Sequence, residues 1–270
     1  MISVIVTTKN ESVHLPSLLE SLSEQKYKDF EVIVVDNGSV DGTKNIAKKA
    51  GARVFDKGPE RSFQRNFGVQ KAKGEYVLIL DADMMLTEDV LKESVAKFEK
   101  NSKIGALIIP EKSFGIGFWA KCKAFEREFY VGDETIEAPR FFKKSVFDEF
   151  SGYDEKITGP EDWDLPLRMR KAGVEIGRIS SYILHNEGKF SPIKSAKKKF
   201  YYASHAKVFL KRHPEQVFTV GNLVFRPVFF KKWEKILSYP ILSFGMIIIK
   251  VAESLGALAG AIWSGIIRSK

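Results

Sequence analysis

Apolar runs of strand length alternate with helical segments along the first 110 residues, and this alternation constrains the fold more than any other feature. The segments between the runs show the spacing of amphipathic helices about ten residues long. Such alternation favours an α/β fold with a mostly parallel sheet and helices on both faces. The expected strands are residues 2–7, 30–35, 52–55, 76–80 and 104–109, and the expected helices are residues 15–25, 43–50, 62–72 and a segment that Thr87 caps and that ends at Lys100.

Polar or acidic residues close several of the expected strands. Thr7 ends the first strand, Asp36 follows the second and Asp81 follows the fourth. In a parallel sheet these ends lie at one edge, which is where ligands bind in open α/β sheets. The sequence therefore predicts one cleft lined by all three positions.

Asp81 and Asp83 stand two residues apart directly after the apolar run at 76–80. Two hard oxygen donors at the exposed end of a buried strand suit a Mg²⁺ or Mn²⁺ ion that also holds substrate phosphates. The alternative is a strand-to-helix turn in which both carboxylates cap the next helix.

Two further positions have a functional and a structural interpretation. Asp36, followed by Asn37-Gly38-Ser39, can accept hydrogen bonds from a nucleobase or ribose, or it can close an Asx turn. Arg65 shares a helix face with Arg61, four residues away, and can bind phosphate oxygens in the bidentate manner of arginine. A solvated helix face explains this arginine pair equally well.

Two more candidates lie farther along the chain. Asp162, with Glu161, precedes a helix expected at 163–172. It can serve as a general base for a hydroxyl nucleophile, or it can stabilise the positive end of that helix. His185 follows a strand-like run and can be a structural hydrogen-bonding residue or an additional metal ligand.

The positive charge is confined to the last third of the chain. Residues 189–270 contain 15 Lys and Arg and three acidic residues. The remaining residues contain 28 Lys and Arg and 31 acidic residues, which gives the net charge of +9 for the whole chain. An anionic partner surface is therefore expected for the last third only. The single cysteine, Cys122, allows no internal disulfide and fits a reducing compartment, and no secretory signal is expected at the N-terminus.

The last third combines this charge with apolar sequence. Residues 189–235 interleave Lys and Arg with aromatic residues, and two uncharged stretches follow at 236–249 and 254–267. A membrane span needs about 20 apolar residues, so each stretch alone is too short. Joined, they would place Lys250 and Glu253 near the bilayer centre, so two in-plane or re-entrant helices compete with one span. Another alternative is a helix pair packed on the remainder of the protein or on a second subunit. Nucleic-acid binding is not expected because no recognition motif accompanies the lysines.

Six short motifs occur in an order that points to a known family. They are residues 3–10 (SVIVTTKN), 34–43 (VVDNGSVDGT), 65–68 (RNFG), 74–83 (GEYVLILDAD), 152–155 (GYDE) and 161–164 (EDWD). With them the chain resembles the family 2 glycosyltransferases of the GT-A fold, which is Rossmann-like, over roughly residues 2–185. Asn37 departs from the commonest pattern, which has a second Asp there, and so do Met84 and Met85, which replace more polar residues.

The resemblance implies a role for each candidate residue. The nucleotide donor would be held by Thr8, Asp36, Arg65 and Asp81. Asp83 would bind the Mg²⁺ or Mn²⁺ ion, with His185 as a further metal or phosphate contact. Asp162 would take the proton of the acceptor hydroxyl in a single displacement with inversion.

The expectation is thus a membrane-associated inverting glycosyltransferase on the cytoplasmic face. It would use a nucleotide-sugar donor, a lipid-linked or surface-glycan acceptor and an anionic membrane surface, with no nucleic acid as partner. The expected division is a catalytic domain at 1–188, a basic aromatic-rich amphipathic segment at 189–235 and membrane-associating helices at 236–270. The alternatives are a polyprenyl-phosphate sugar transferase, a nucleotidyltransferase, which would typically show a Gly-rich loop near the first strand, and a non-catalytic membrane-bound module.

Overall fold

The computed structural model describes residues 1–216 and 226–266, and the chain forms two compact units. The first unit comprises Met1–Glu111, Glu137–Glu155 and Asp162–His185, and the second comprises Lys112–Ile136, Lys156–Glu161 and Asn186–Lys270. The three-part division expected from sequence follows composition and stays a prediction. Residues 217–225 and 267–270 of its last two parts lie outside the described residues.

A seven-stranded sheet forms the centre of the first unit. Its strands are β1 (Ile2–Thr8), β2 (Phe30–Asp36), β3 (Arg53–Asp56), β4 (Tyr76–Asp81), β6 (Ile104–Ile108), β8 (Phe141–Lys143) and β9 (Glu175–Arg178). Their order in the sheet is β3-β2-β1-β4-β8-β6-β9. The expected α/β fold with a mostly parallel sheet is confirmed, with β8 as the one antiparallel member, between β4 and β6.

Helices α1 to α4, α6 and α7 belong mainly to the first unit. They are α1 (Leu15–Ser23), α2 (Thr43–Lys49), α3 (Arg61–Lys71), α4 (Val90–Lys100), α6 (Lys144–Glu149) and α7 (Glu161–Lys171). The expected cap of α4 is wrong. Thr87 donates its hydroxyl proton to the carbonyl oxygen of Tyr182 at 3.1 Å, and the residue before α4 is Asp89, whose side chain makes no capping bond.

The packing on both faces of the sheet explains why the strand sequences are continuous apolar runs. Val4 and Val6 of β1 pack in one buried cluster, whereas Ile5 packs in a second cluster with Ile33 and Val35 of β2. Because successive side chains of a strand point to opposite faces, both faces of the sheet are covered.

A short antiparallel strand pair was not expected from the sequence. Strand β5 (Met84–Leu86) pairs with β10 (Ile183–Asn186), and the register sets His185 opposite Met84. Met84 is fully buried in the core, which accounts for an apolar residue directly after Asp83. This pairing brings two segments about a hundred residues apart to the same edge of the fold.

Over its described residues, the second unit is mainly helical, with strand β7 (Glu111–Phe114) beginning at its boundary. Its helices are α5 (Phe118–Tyr130), α8 (Pro192–Ser204), α9 (Lys207–Arg212), α10 (Pro227–Lys231), α11 (Trp233–Ser238) and α12 (Pro240–Trp263), with a 3₁₀ turn at Pro214–Gln216. The two uncharged stretches predicted at 236–249 and 254–267 do not form separate helices, because α12 continues through Lys250 and Glu253. Within the described residues, α12 alone is long and apolar enough to cross a membrane by length and composition.

Candidate active site

Thr8 and Asp36 lie side by side at the carboxyl ends of β1 and β2. The strands pair in register at these two residues, and both side chains are buried. Asp36 accepts hydrogen bonds from the Thr8 hydroxyl at 2.8 Å and from the backbone N–H of Ser39 at 2.7 Å. Asp36 therefore closes a turn, as one interpretation of the sequence held, and also contacts the second predicted donor residue.

Arg65 joins two other predicted site residues. It lies on α3, is 0% exposed, and donates from Nη2 to Asp81 Oδ1 at 3.0 Å. Its Nη1 donates to Asp162 Oδ1 at 2.5 Å, and its guanidinium lies over the ring of Tyr153 at 5.4 Å. A single buried cation thus holds a strand-end carboxylate and a carboxylate that is distant in the sequence.

The charge state of Asp81 follows from its neighbours. Burial would raise the pKa of this carboxyl group, but the positive charges of Arg65, Arg140 and Arg61 hold the pKa well below its ordinary value. Asp81 is therefore ionised at neutral pH and contributes a fixed negative charge at this edge of the sheet.

Asp162 lies in the first turn of α7 and not before the helix, as the sequence pattern suggested. Its side chain is 29% exposed, so it remains accessible from outside despite its bond to Arg65. The neighbouring motif is held by partly buried contacts: Arg168 donates to Asp164 at 2.8 Å and to the carbonyl oxygen of Gly152 at 2.6 Å. These bonds fix the start of α7 against the GYDE segment.

His185 and Asp83 lie close together, as the pairing of β5 with β10 requires. His185 Nε2 is 3.4 Å from Asp83 Oδ2, and its Nδ1 is 3.3 Å from Glu111 Oε2. The other oxygen of Glu111 accepts a bond from Arg140 Nε at 2.6 Å, and Arg140 also lies 3.7 Å from Asp81. A continuous chain of polar contacts therefore runs from Asp81 to Asp83.

Asp83 and His185 suit a divalent ion. Asp83 Oδ1 is buried and has no hydrogen-bond partner among the described residues, which is costly for a carboxylate without a cation. Adjacent ligands of an octahedral ion at about 2.1 Å are separated by about 3 Å, close to the spacing of this pair. Within the described residues no group of three or more acidic, His or Cys side chains converges, so further ligands would be donor phosphates or water.

Three further polar residues of this region are not predicted from the sequence: Glu11, Glu111 and Arg140. Burial, together with Asp83, Asp41 and Asp81, raises the pKa of Glu11 to about 7. Glu111 follows strand β6, so the rule of strand-end carboxylates that selected Asp36 and Asp81 would have found it. Arg140 precedes β8 and reaches the same edge only because β8 runs antiparallel to its neighbours.

Comparisons with known proteins agree with this architecture. Residues 3–153 match the family model described as Glycosyl transferase family 2. A PGL/p-HBAD biosynthesis glycosyltransferase of Mycobacterium tuberculosis is 27% identical over 252 residues, which cover 88% of this chain and 93% of that protein.

Two solved structures share the fold. One is the mannosyltransferase PcManGT from Pyrobaculum calidifontis in complex with GDP-Man and Mn²⁺, with a TM-score of 0.64 at 17% identity over 95% of this chain and 86% of that chain. The other is TarS 1–349 of Staphylococcus aureus in complex with UDP-GlcNAc, with a TM-score of 0.56 at 19% identity over 95% of this chain and 90% of that chain. The fold is GT-A-like. Because the family model covers more than half of the chain, the protein belongs to glycosyl transferase family 2 and is a glycosyltransferase.

Proposed function

We propose that the protein transfers a sugar from a nucleoside-diphosphate donor to an acceptor hydroxyl, with inversion at the anomeric carbon and with Mg²⁺ or Mn²⁺ as cofactor. The observation that carries this proposal is the placement of Asp162 by Arg65, next to Asp81 and at the same sheet edge as Asp83 and His185. The proposal thus brings a base, a fixed negative charge and a cation site together in one region of the first unit.

In this proposal Thr8 and Asp36 contact the base and ribose of the donor, and Asp81 contacts the ribose or a metal-bound water. Asp83 and His185 hold the divalent ion, which would supply Lewis-acid stabilisation of the departing nucleoside diphosphate. The solved relatives with bound Mn²⁺ or nucleotide sugar support this assignment by fold only. Arg65 is buried between two carboxylates, so we assign it the positioning of Asp162 and Asp81 near the donor.

Asp162 is the proposed general base. It takes the proton of the acceptor hydroxyl while the hydroxyl oxygen attacks the anomeric carbon opposite the leaving group. The Asp162→Asn variant should remain folded, with the amide oxygen still able to accept from Arg65, and lose about 10²- to 10⁴-fold in turnover, measured as release of nucleoside diphosphate from the donor. Asp148→Asn, on an exposed pair with Lys144, is the control that should leave turnover unchanged. Near-normal turnover of Asp162→Asn would exclude a base and favour an acceptor oxygen that is already anionic, as in a polyprenyl phosphate.

The donor site has a separate test. Melting temperatures measured with UDP-, GDP- and dTDP-sugars plus Mn²⁺ should rise for one nucleotide class, and Asp83→Ala should abolish the rise. If no donor raises the melting temperature, the assignments of Thr8, Asp36 and Asp83 are wrong. Metal-dependent donor hydrolysis by the purified protein would also exclude a non-catalytic binding module.

The proposed acceptor is a lipid-linked or surface-glycan molecule at the cytoplasmic face of an anionic membrane. This part rests on the basic and apolar character of residues 189–270 and on the long apolar helix α12. Two relatives support this part of the proposal by name: one is named for PGL/p-HBAD biosynthesis, and TarS is named a poly(ribitol-phosphate) β-N-acetylglucosaminyltransferase.

A further inference from the structure

On helix α12 the charged residues face inward and large apolar residues face outward, which is the reverse of the arrangement on surface helices of water-soluble proteins. Its two charged residues, Lys250 and Glu253, are 3% and 1% exposed, whereas large apolar side chains occupy the opposite face. Helices at a water-exposed surface direct apolar residues inward and charged residues outward. The outer face of α12 is therefore suited to an apolar environment.

The outer face is a continuous stripe. Its members are exposed apolar residues at alternating spacings of three and four: Ile241, Phe244, Ile248, Val251, Leu255, Leu258 and Ile262. At about 1.5 Å per residue the stripe is about 32 Å long. Ile241 is 72% exposed and Leu255 is 62% exposed. Exposed apolar residues that form a contiguous patch of this size indicate an interaction surface.

The inner face of α12 is attached to α5 by a buried ionic network. Lys250 donates to Glu126 at 3.0 Å and to Glu253 at 2.9 Å, and Lys123 donates to the same two carboxylates at 2.8 and 3.0 Å. The two cations lower the pKa of Glu126 to about 2 against the effect of burial. These bonds fix which face of α12 points outward.

Helix α8 lies directly alongside the second half of α12. A Cβ atom built on Gly256 would lie 2.2 Å from the carbonyl oxygen of Ala196, and one on Gly260 would lie 2.3 Å from that of Phe200. The Ser195 hydroxyl also donates to Glu253 at 2.6 Å. These contacts run in the same direction along both helices, so any bilayer position of α12 carries α8 with it.

We propose that α12 lies in the plane of the bilayer, with its apolar stripe in the hydrocarbon boundary and its charged face turned to the protein, and does not span the membrane. The inference rests on the membrane association proposed above and specifies its mode. Helix α8 carries exposed Lys194, Lys197 and Lys198. Drawing α8 into the bilayer beside a spanning α12 would cost about 2.5–3.5 kcal/mol for each lysine near the centre. In-plane binding buries the same stripe and leaves α8 at the level of the headgroups.

The charge around the stripe identifies the occupant as an anionic lipid surface. Residues 192–212 contain seven Lys or Arg residues and no Asp or Glu. Exposed apolar residues are interleaved with them, including Ile193, Phe200 and Val208. This combination is typical of interfacial helices on anionic lipids, whereas a protein–protein interface is depleted of lysine.

The first experiment measures binding of the full chain to vesicles by flotation. Binding to phosphatidylcholine vesicles with 30% phosphatidylglycerol should exceed binding to pure phosphatidylcholine. Leu255→Ser combined with Leu258→Ser should lower the affinity at least tenfold. The matched control replaces two exposed valines of the first unit, Val13→Ser with Val40→Ser, and should bind as the native chain does. Absence of vesicle binding by the native chain would overturn the proposal.

The second experiment distinguishes the in-plane from the spanning orientation. In a Cys122→Ala background, a fluorophore is attached at Ile241→Cys, Val251→Cys or Ile262→Cys, and its depth is measured by quenching with lipid nitroxides. The in-plane orientation predicts equal depths. A spanning helix would place the label at position 251 roughly 15 Å deeper than the two ends, and that result would overturn the proposal.

Two controls separate the possible failures. If the stripe instead serves a second copy of the chain, light scattering will show a dimer that Leu255→Ser with Leu258→Ser dissolves, and vesicles will not bind. Release of nucleoside diphosphate from a soluble donor is measured on the same samples. Retained release with a failed depth test rejects the in-plane helix alone, whereas lost release rejects the proposed function.

Discussion

Arg65 is the residue on which the geometry of the candidate site depends most. Its guanidinium is fully buried and bonds carboxylates from β4 and α7, which the sequence separates by about eighty residues. The planar guanidinium of arginine can hold two carboxylates in fixed directions, whereas lysine supplies only a point charge. The site is therefore assembled around a cation that itself has no exposure to solvent.

Removal of Arg65 should destabilise the fold as well as the site. Arg65→Met leaves Asp81 and Asp162 without their shared partner, so the free energy of unfolding should fall by about 3–5 kcal/mol in urea melts. Arg53→Met, which breaks a partly exposed pair with Glu31, is the control and should cost no more than about 1 kcal/mol. Equal losses in the two variants would show that the Arg65 pairs contribute little.

Glu111 should tune the metal affinity through His185. Its carboxylate lies 3.3 Å from Nδ1, which leaves Nε2 facing Asp83. Orienting partners of metal-bound histidines change affinity by about 10- to 100-fold, so Glu111→Gln should weaken Mn²⁺ binding by that factor in calorimetry without donor. Glu31→Gln, another ion-paired glutamate of the same unit, should leave Mn²⁺ affinity unchanged. Unaltered affinity in Glu111→Gln would exclude the orienting role.

Glu11 should make stability depend on pH. Its pKa is raised to about 7 in the folded state from 4.5, by burial first and then by Asp83, Asp41 and Asp81. Between these two values the unfolded chain loses the proton and the folded chain keeps it, so stability falls as pH rises. Glu11→Gln should remove this slope and be more stable than the native chain at pH 8 in metal-free urea melts. If the free energy of unfolding changes in parallel for the native chain and Glu11→Gln from pH 5 to 8, the raised pKa of Glu11 is contradicted.

The limits of sequence reasoning are visible in single residues. Carboxylates at strand ends could be found, because an apolar run that stops at Asp36 or Asp81 identifies both the strand and its edge. Arg140 could not be found, because its position depends on the antiparallel direction of β8, and a three-residue strand carries no directional pattern. The role of Arg65 as a bridge was equally hidden, since burial of an arginine depends on partners that only the fold supplies.

At the scale of elements, short pairings decide where the functional side chains lie. The three residues of β5 were not expected to form a strand, yet their register with β10 places His185 next to Asp83. The sequence predicts two separate apolar stretches where α12 lies, because the charged residues Lys250 and Glu253 stand between them. At a spacing of three residues both charges lie on one helix face, where α5 supplies their partners.

The ionic network between α5 and α12 gives a prediction at this scale. Glu253→Met leaves Lys123 and Lys250 with only Glu126, so the free energy of unfolding should fall by about 3–5 kcal/mol. The double variant Lys250→Met with Glu253→Met restores a closer balance of charge and should cost less than Glu253→Met alone. Glu234→Met, on the exposed surface of α11, should change the free energy by less than about 0.5 kcal/mol. A double variant less stable than the single one would show that the charges are not coupled.

At the scale of the whole molecule, the position of charge matters more than its sum. The overall charge of +9 conceals a first part, residues 1–188, in which acidic residues exceed basic ones by three. The last third carries the excess of Lys and Arg together with the exposed stripe of α12. An anionic bilayer would therefore attract one region of the chain strongly, and electrostatic attraction and apolar burial would act on the same region.

Two variants of identical net charge should therefore differ in their affinity for anionic vesicles. Lys197→Gln with Lys198→Gln removes two exposed lysines of α8, and each lysine near an anionic membrane contributes about 1 kcal/mol, so vesicle affinity should fall by about 30-fold. Lys48→Gln with Lys49→Gln removes two exposed lysines of α2 and should leave the affinity within a factor of two. Flotation with 30% phosphatidylglycerol at low salt measures both, and the difference should shrink in 0.5 M salt because screening weakens only the electrostatic part. If both variants lose affinity equally, net charge and not its position governs membrane binding.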